Sequence, residues 1–242
     1  MAAREKVTRD LEGEGTPETE WAASAALRSL PVWRPVYPWP GRLIVIAPHP
    51  DDEILGCGGM IASADGQGVE VQVVAVTDGE ASHPDRTEEL RRRRPRESAR
   101  AMTELLGSPV TYDRLGHPDG DIDAELLGTQ LTDRLRAGDL ILAPWHQDGH
   151  PDHDRVGQAA LHASRVTGAD LAAYLVWTWH WADPEQDVPW AQAVRVEFGA
   201  ELAQRKRAAV NCFESQVSGP APILPPHVLA RLTRAYEVYL RS

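Results

Sequence analysis

RLIVIAPHPDDEILGCGG, residues 42–59, passes from a continuous apolar run into one histidine, three acidic residues and then glycines. RLIVIA (42–47) is short, uninterrupted and rich in β-branched residues, the pattern of a strand buried on both faces. Runs of the same kind recur as VEVQVVAVT (69–77), PVTYDRL (109–115), DLILAP (139–144), LAAYLVW (171–177) and AVRVEF (193–198). Segments of helical length and period lie at 53–66, 86–106, 121–137, 152–167, 200–214 and 227–240. Strand and helix therefore alternate over short connections, which predicts an α/β fold built on an open, mostly parallel sheet with helices on both faces. In such sheets ligands bind beyond the carboxyl ends of the strands, where PHPDDE sits.

The rest of the chain bounds what the site can serve. A length of 242 residues suits one domain with a sizeable core. The first forty residues are polar and then proline-punctuated (PVWRPVYPWPG, 31–41), so 1–40 is expected to be a partly ordered arm and 41–242 a single α/β domain. With 25 Lys and Arg against 36 Asp and Glu, the formal net charge of −11 repels a phosphate backbone and argues against nucleic acid. Two cysteines, Cys57 and Cys212, are too few for a disulfide framework and fit reduced thiols. The N-terminus has no apolar leader and the chain no membrane-length apolar run, which points to a cytoplasmic protein acting on a small molecule. The composition is compatible with a homo-oligomer.

A second polar constellation, WHQDGHPDH (145–153), follows the DLILAP run just as PHPDDE follows RLIVIA. Two such clusters at strand ends of one sheet can converge although about 100 residues separate them. His49 and Asp52, three apart at a tight turn, with His153 make the natural triple for a borderline metal such as Zn²⁺, with a position left for water. Asp51, beside these ligands, is placed to take a proton from the bound water. His150 is free to stabilise an oxyanion or protonate a leaving amine, with Asp152 holding its imidazole. His146 competes with His153, but the turn before the HPDH group favours substrate contact for it.

Blander roles weigh against several of these residues. The acidic residues of PHPDDE also suit a helix N-terminus, a role compatible with metal binding. GCGGM (56–60) follows the acidic cluster, the wrong order for a phosphate cradle, and so suggests close helix–sheet packing. RRRRPR (91–96) is expected to form a solvated helix face paired with Glu88, Glu89 and Glu97. His117 is expected at the outer rim, Cys57 in a buried helix start, and His180 in a pocket wall or a hydrogen bond. Trp177, Trp179 and Trp181 alternate with strand period, one face inward and the other available to a sugar ring.

PHPDDE followed by GCGG, with DGHPDH later, resembles the LmbE-like, or PIG-L, deacetylases. The resemblance covers roughly 42–216 and takes in TDGE (77–80), Arg94 with Glu97, PDG (118–120) and KRAAVNCFESQ (206–216). It implies the Rossmann-like LmbE fold and a divalent metal, usually zinc, with Fe²⁺ or Co²⁺ as substitutes. It also implies removal of acetyl from an N-acetylglucosamine-type sugar or sugar conjugate. Carried over, the pattern makes His49, Asp52 and His153 metal ligands, Asp51 the general base and His150 the oxyanion-stabilising residue. Arg94 and Asp119 fall where relatives bind sugar hydroxyls. Phe213 stands where many relatives have a histidine, which puts that substrate or interface contact in question.

Two other classes compete with an N-deacetylase. A non-haem Fe(II) oxygenase also uses two histidines and a carboxylate, and His49 with Asp51 has its HxD spacing, though usually in all-β barrels. A non-enzymatic metal-binding protein would lack a base or ligand, and none of the five expected residues is missing.

Overall fold

A computed structural model of the chain describes residues 9, 11, 13–35, 41–220 and 222–241. Two short helices, α1 (Glu18–Ala23) and α2 (Ala25–Arg28), precede β1 (Leu43–Ala47) and α3 (Asp52–Asp65). There follow β2 (Val71–Thr77), α4 (Thr87–Leu106), β3 (Thr111–His117), α5 (Ala124–Thr132), β4 (Leu140–Pro144) and α6 (Pro151–Thr167). The chain continues through β5 (Asp170–Tyr174), α7 (Thr178–Trp181), β6 (Ala193–Glu197), α8 (Ala200–Val210), α9 (Glu214–Val217), α10 (Pro226–Leu232) and β7 (Tyr236–Arg241).

Among the described residues the strands form one sheet in the order β3-β2-β1-β4-β5-β7-β6. β1 to β5 run parallel, while β7 is antiparallel to both of its neighbours, so the sheet is α/β and mostly parallel. The chain first winds outward from β1 to β3, then returns to place β4 against the other side of β1. A crevice opens where the winding direction reverses, and here that switch point lies at the carboxyl ends of β1 and β4.

β1 shows why a continuous apolar run is required. Leu43, Val45 and Ala47 join a core with Ile54, Met60, Ala101 and Met102 of α3 and α4. Ile44 and Ile46, on the opposite face, join Leu127 and Leu131 of α5 and Val156 and Ala160 of α6. Both faces are thus shielded from water, each large aliphatic side chain contributing about 1.5–3 kcal/mol on burial. The glycines after PHPDDE do serve close packing. A Cβ at Gly56 would collide with the Tyr174 ring, and one at Gly59 with the Phe198 ring.

Three expectations change. The segment 227–240 is not one helix: α10 ends at Leu232 and the chain returns as β7, whose residues Glu237 to Leu240 are all buried between β5 and β6. The expected strand 171–177 stops at Tyr174 and WTWHW turns into α7, because the backbone N–H groups of Val176, Trp177 and Thr178 donate to Asp148 and not to a neighbouring strand. The alternation of Trp177, Trp179 and Trp181 is therefore not a strand period. Within the expected arm, Trp21 is fully buried, packs edge-on against Trp179 at 4.8 Å and donates from Nε1 to the Trp179 carbonyl at 2.9 Å. Val32 bridges to Arg195 beside β6. Positions 1–8, 10, 12 and 36–40 of the arm lie outside the described residues. No described helix is long and apolar enough to cross a membrane.

The β1–β4 register is pinned at the end away from the crevice. Asp139 accepts from the Arg42 backbone N–H at 3.2 Å, Arg42 Nε at 3.2 Å and Nη2 at 2.7 Å, and from the Arg136 N–H at 3.1 Å. Burial alone would raise the Asp139 carboxyl, but these donors hold it below the ordinary carboxylate value. Its stabilising contribution is then complete above an unfolded-state pKa of about 3.9 and is lost as pH falls through the lower folded value. Asp139→Asn should cost about 1.5–3 kcal/mol in urea unfolding at pH 7, and the gap from wild type should narrow below about pH 4.

Candidate metal centre and active site

PHPDDE forms the turn from β1 into α3. Asp51 caps α3 with φ of 151°, a conformation an L-residue adopts only under constraint. The constraint is visible on three sides. Asp51 N–H donates to Glu53 Oε2 at 3.0 Å, Arg94 Nη2 donates to Asp51 Oδ2 at 3.0 Å, and the same guanidinium donates to the carbonyls of Pro50 and Gly79. Gly79, at φ of 67°, must lack a side chain because a Cβ there would collide with the Arg94 guanidinium, which accounts for the glycine of TDGE. Glu53 in turn accepts from Ser98 Oγ, so the turn is tied to α4.

Asp52, in the first turn of α3, folds back so that Oδ2 accepts from the His49 N–H at 2.9 Å and lies 3.2 Å from His49 Nδ1. His153, in the first turns of α6, arrives from β4 and brings Nε2 within 3.2 Å of the same oxygen. His49, Asp52 and His153 are all buried, with their ligand-type atoms within 4.8 Å of one another. His49, His150 and Asp152 form a second such group sharing His49.

His153 tests whether the first trio fits a cation. Its Nδ1 is 2.8 Å from Asp148 Oδ2, while Nε2 is buried without a hydrogen-bond partner in spite of its closeness to Asp52. A fully buried imidazole nitrogen left unpaired is costly, and a divalent ion shared with Asp52 and His49 satisfies it. Asp148 is itself fully buried and accepts from Thr178 Oγ1 and from the Val176, Trp177 and Thr178 N–H groups as well as His153. It thereby sets the His153 ring orientation, a role not assigned from sequence because its donors lie about 30 residues downstream in a segment without a motif.

Asp152 does not hold the His150 imidazole through its carboxylate. Its Oδ2 lies 3.3 Å from His49 Nε2 and accepts from the Gly120 N–H at 2.8 Å, so it steadies His49. The Asp152 backbone N–H, not its side chain, meets His150, donating to Nδ1 at 3.2 Å. That bond makes His150 the N-cap of α6 and, in the neutral ring, leaves the proton on Nε2. Burial, reinforced by the His153 and His49 charges, pushes the His150 pKa well down, which favours that neutral form. Burial pushes Asp51 up to about 7, with Arg94 opposing.

These groups face a cleft of about 420 Å³ whose wall includes His49, Asp51, Asp52, Arg94, Asp119 and His150. Asp119 accepts from the Ala81 N–H at 2.8 Å and approaches His49 Nε2 to 3.3 Å. Trp177, whose ring stacks on His150 at 6.1 Å, also borders the cleft, as do Leu11, Gln216 and Leu224. Gln216 closes the KRAAVNCFESQ stretch, whereas Leu11 and Leu224 carry no chemical motif that sequence reading could find. His146 does not border this cleft, and its Nε2 lies 3.3 Å from Gln147. His117 is buried, not on a rim, with Nε2 2.8 Å from Gln130 Oε1. His180 is buried with Nδ1 3.3 Å from Arg231. Phe213 is fully buried in the core, and Cys57 is a buried free thiol.

A mostly parallel α/β sheet with a His₂Asp cluster at its switch point defines a class of protein with a metal-capable crevice. The chain belongs to the PIG-L family: the family model described as GlcNAc-PI de-N-acetylase matches residues 44–164, half of the sequence. A 1D-myo-inositol 2-acetamido-2-deoxy-alpha-D-glucopyranoside deacetylase of Nocardioides sp. is 30% identical over 143 residues, 53% of this chain and 40% of that protein. A diacetylchitobiose deacetylase of Thermococcus kodakarensis is 30% identical over 135 residues, 52% of this chain and 50% of that protein. The chain spans about half the length of the curated relatives it matches. The crystal structure of a conserved protein of Thermus thermophilus is similar at a TM-score of 0.58 and 26% identity, covering 82% of this chain and 93% of that one.

Asp148→Asn should weaken metal binding about 10–100-fold by removing the carboxylate that orients His153. His153→Ala should lose stoichiometric metal and His146→Ala should retain it. Metal content by atomic emission after dialysis checks all three.

Proposed function

We propose that the protein is a metal-dependent N-deacetylase that hydrolyses the acetamide of an N-acetylglucosamine-type amino sugar or sugar conjugate. The observation that carries the proposal is the cluster of three ligand-type groups, His49, Asp52 and His153, two of which line one cleft together with the Asp51 carboxylate and the His150 imidazole. His49, Asp52 and His153 would hold the ion, with Zn²⁺ favoured by the mixed imidazole and carboxylate donors. When bound, that ion supplies polarisation of the acetamide carbonyl and acidification of the attacking water.

The chain's own residues account for the proton movements. Asp51, with its carboxyl raised toward neutrality by burial, takes a proton from the attacking water. Arg94 keeps that carboxylate aimed through the bond to Oδ2. His150 donates from Nε2 to the oxygen that becomes negative as the carbonyl carbon turns tetrahedral. Protonated Asp51 then gives its proton to the departing nitrogen, and the C–N bond breaks to leave acetate and the free amine. Water's oxygen ends in acetate and its protons are shared between the products, so the reaction balances without a further reactant.

Support for the substrate class comes from the named relatives, a GlcNAc-inositol deacetylase and a diacetylchitobiose deacetylase. Asp119 is available to sugar hydroxyls at the cleft wall, and the Trp177 ring to a sugar face. Arg94 gives Nη1 and Nη2 to Asp51 and two carbonyls, which makes it a positioning residue for the base, while its Nε is without a partner at the cleft wall. The oxygenase alternative rests on two histidines and one carboxylate around the metal. His49, His153 and Asp52 also supply two histidines and a carboxylate, so the donor set by itself does not separate the two readings; the mostly parallel α/β sheet and the deacetylase relatives favour hydrolysis over oxygenation.

Acetate release from N-acetylated sugars and sugar conjugates should require added divalent metal after chelation with EDTA. Asp51→Asn should lower kcat about 10²–10⁴-fold while metal content stays stoichiometric. Full activity in Asp51→Asn, or acetate release unaffected by chelation, would overturn the assignment.

A further inference from the structure

A second cavity of about 540 Å³ lies behind the PHPDDE turn, between α4 and the face of β1 and β2. Its volume falls in the range of roughly 300–1,000 Å³ typical of small-molecule sites. The floor and sides are aliphatic, formed by Ala47, Val73, Ala75, Pro95 and Ala99. Glu53, Ser98 and Tyr112 also border it, but their polar atoms are occupied by one another. Ser98 Oγ bonds to Glu53 and to Tyr112 Oη at 3.0 Å, and Tyr112 Oη lies 3.3 Å from Glu53 Oε1. These side chains therefore add surface without asking for a polar partner.

The charged border has the opposite character. Arg91, Arg92, Arg96 and Arg114 line the same cavity, with Asp78 as an acidic residue among them. Arg114 neutralises Asp78 through a 2.5 Å ion pair, and Arg91 reaches Glu80 and Glu88. Arg92 and Arg96, one helical turn apart and exposed, have no ion-pair or hydrogen-bond partner among the described residues. Elsewhere on α4 the arginines are matched: Arg93 with Glu89, Glu97 and Glu214, Arg94 with Asp51, and Arg100 with Glu214. The run RRRRPR thus departs from a uniformly paired solvent face. Two free cations flank an aliphatic slot on a chain whose formal net charge is −11.

We propose that this cavity is a binding site for a medium-chain acyl carboxylate, its alkyl chain in the aliphatic slot and its carboxylate on Arg92 and Arg96. Charge complementarity selects the anionic head, since two guanidinium groups provide forked donors for carboxylate oxygens. The alkyl body follows from walls of alanine, valine and proline, which offer an aryl plate only the Tyr112 ring. The site is separate from the metal cleft, and the two share His49 across the β1–α3 turn.

Isothermal titration of decanoate into the full chain tests this, run as purified and again with EDTA so that a carboxylate on the metal centre is excluded. Saturable binding with Kd below about 1 mM is expected in both conditions, with decanol and acetate each at least about tenfold weaker. The surface double variant Arg92→Ala/Arg96→Ala should melt as wild type does and lose affinity about tenfold or more. Ala75→Phe, which fills the slot, should abolish binding. Absence of saturable decanoate binding, binding abolished by EDTA, equal binding of decanol, or an unchanged Kd in the arginine double variant would each overturn the proposal. If Ala75→Phe fails to fold, the arginine variant and the decanol comparison decide alone. None of these readouts depends on deacetylation, so the fate of the site is separable from that of the catalytic assignment.

Discussion

The parallel pairing of β1 with β4 is the constraint on which the rest of the site depends. Leu43, Ile44 and Val45 lie in register with Leu140, Ile141 and Leu142, so the two strands end side by side. Each then delivers a short polar turn and a helix N-terminus into one crevice, which puts His49 and Asp52 opposite His153 although the sequence keeps them far apart. The Arg42–Asp139 contact locks the same two strands at their beginnings, and the buried aliphatic faces of β1 make slippage costly, since a one-residue shift would exchange its two cores.

Placing so many polar groups in a buried crevice is tolerable only because nearly every one is matched. Asp148 accepts donors from α7 and its lead-in while it faces His153. Asp152 spans His49 and the Gly120 N–H, and Glu53 ties Asp51 to α4. An unmatched group in such surroundings costs about 1–3 kcal/mol, so an incomplete network would weaken the fold as well as the site. The exceptions in and around the crevice include Arg94 Nε, Gln216 Oε1 and His153 Nε2, and the last falls among the three ligand-type groups, where a cation would complete it. The constrained backbone of Asp51 lies in the same turn, held by Arg94 and Glu53. Strain concentrated where its neighbours over-determine it is consistent with the proposed role of Asp51 as base.

Much of the fold was legible because its strands are continuous apolar runs bounded by polar turns, a pattern that survives without knowledge of partners. The segments that misled are those whose conformation is settled by a distant group. WTWHW leaves the sheet because Asp148 captures its amides, and the C-terminal segment divides because β7 fills the gap between β5 and β6. Arg94 reads as a sugar contact in the linear motif, and only its burial beside Asp51 shows that two of its guanidinium nitrogens hold the turn. Asp152 likewise stands between His150 and His153 in sequence, yet its carboxylate meets neither ring and lies against the remote His49 ring and the Gly120 amide.

By itself the sequence determined the alternation of strand and helix, the two strand-end clusters and the chemical types gathered in them. Those properties are local: apolar periodicity, turn composition and the donor atoms of histidine and aspartate are carried within a few residues. Tertiary structure alone decided which strands are neighbours, which nitrogen of each histidine faces which carboxylate, and which arginines are left without a partner. Such outcomes depend on distance and competition among groups remote in the chain, and a side chain's protonation and orientation are set by whatever neighbour the fold brings within about 3 Å of it.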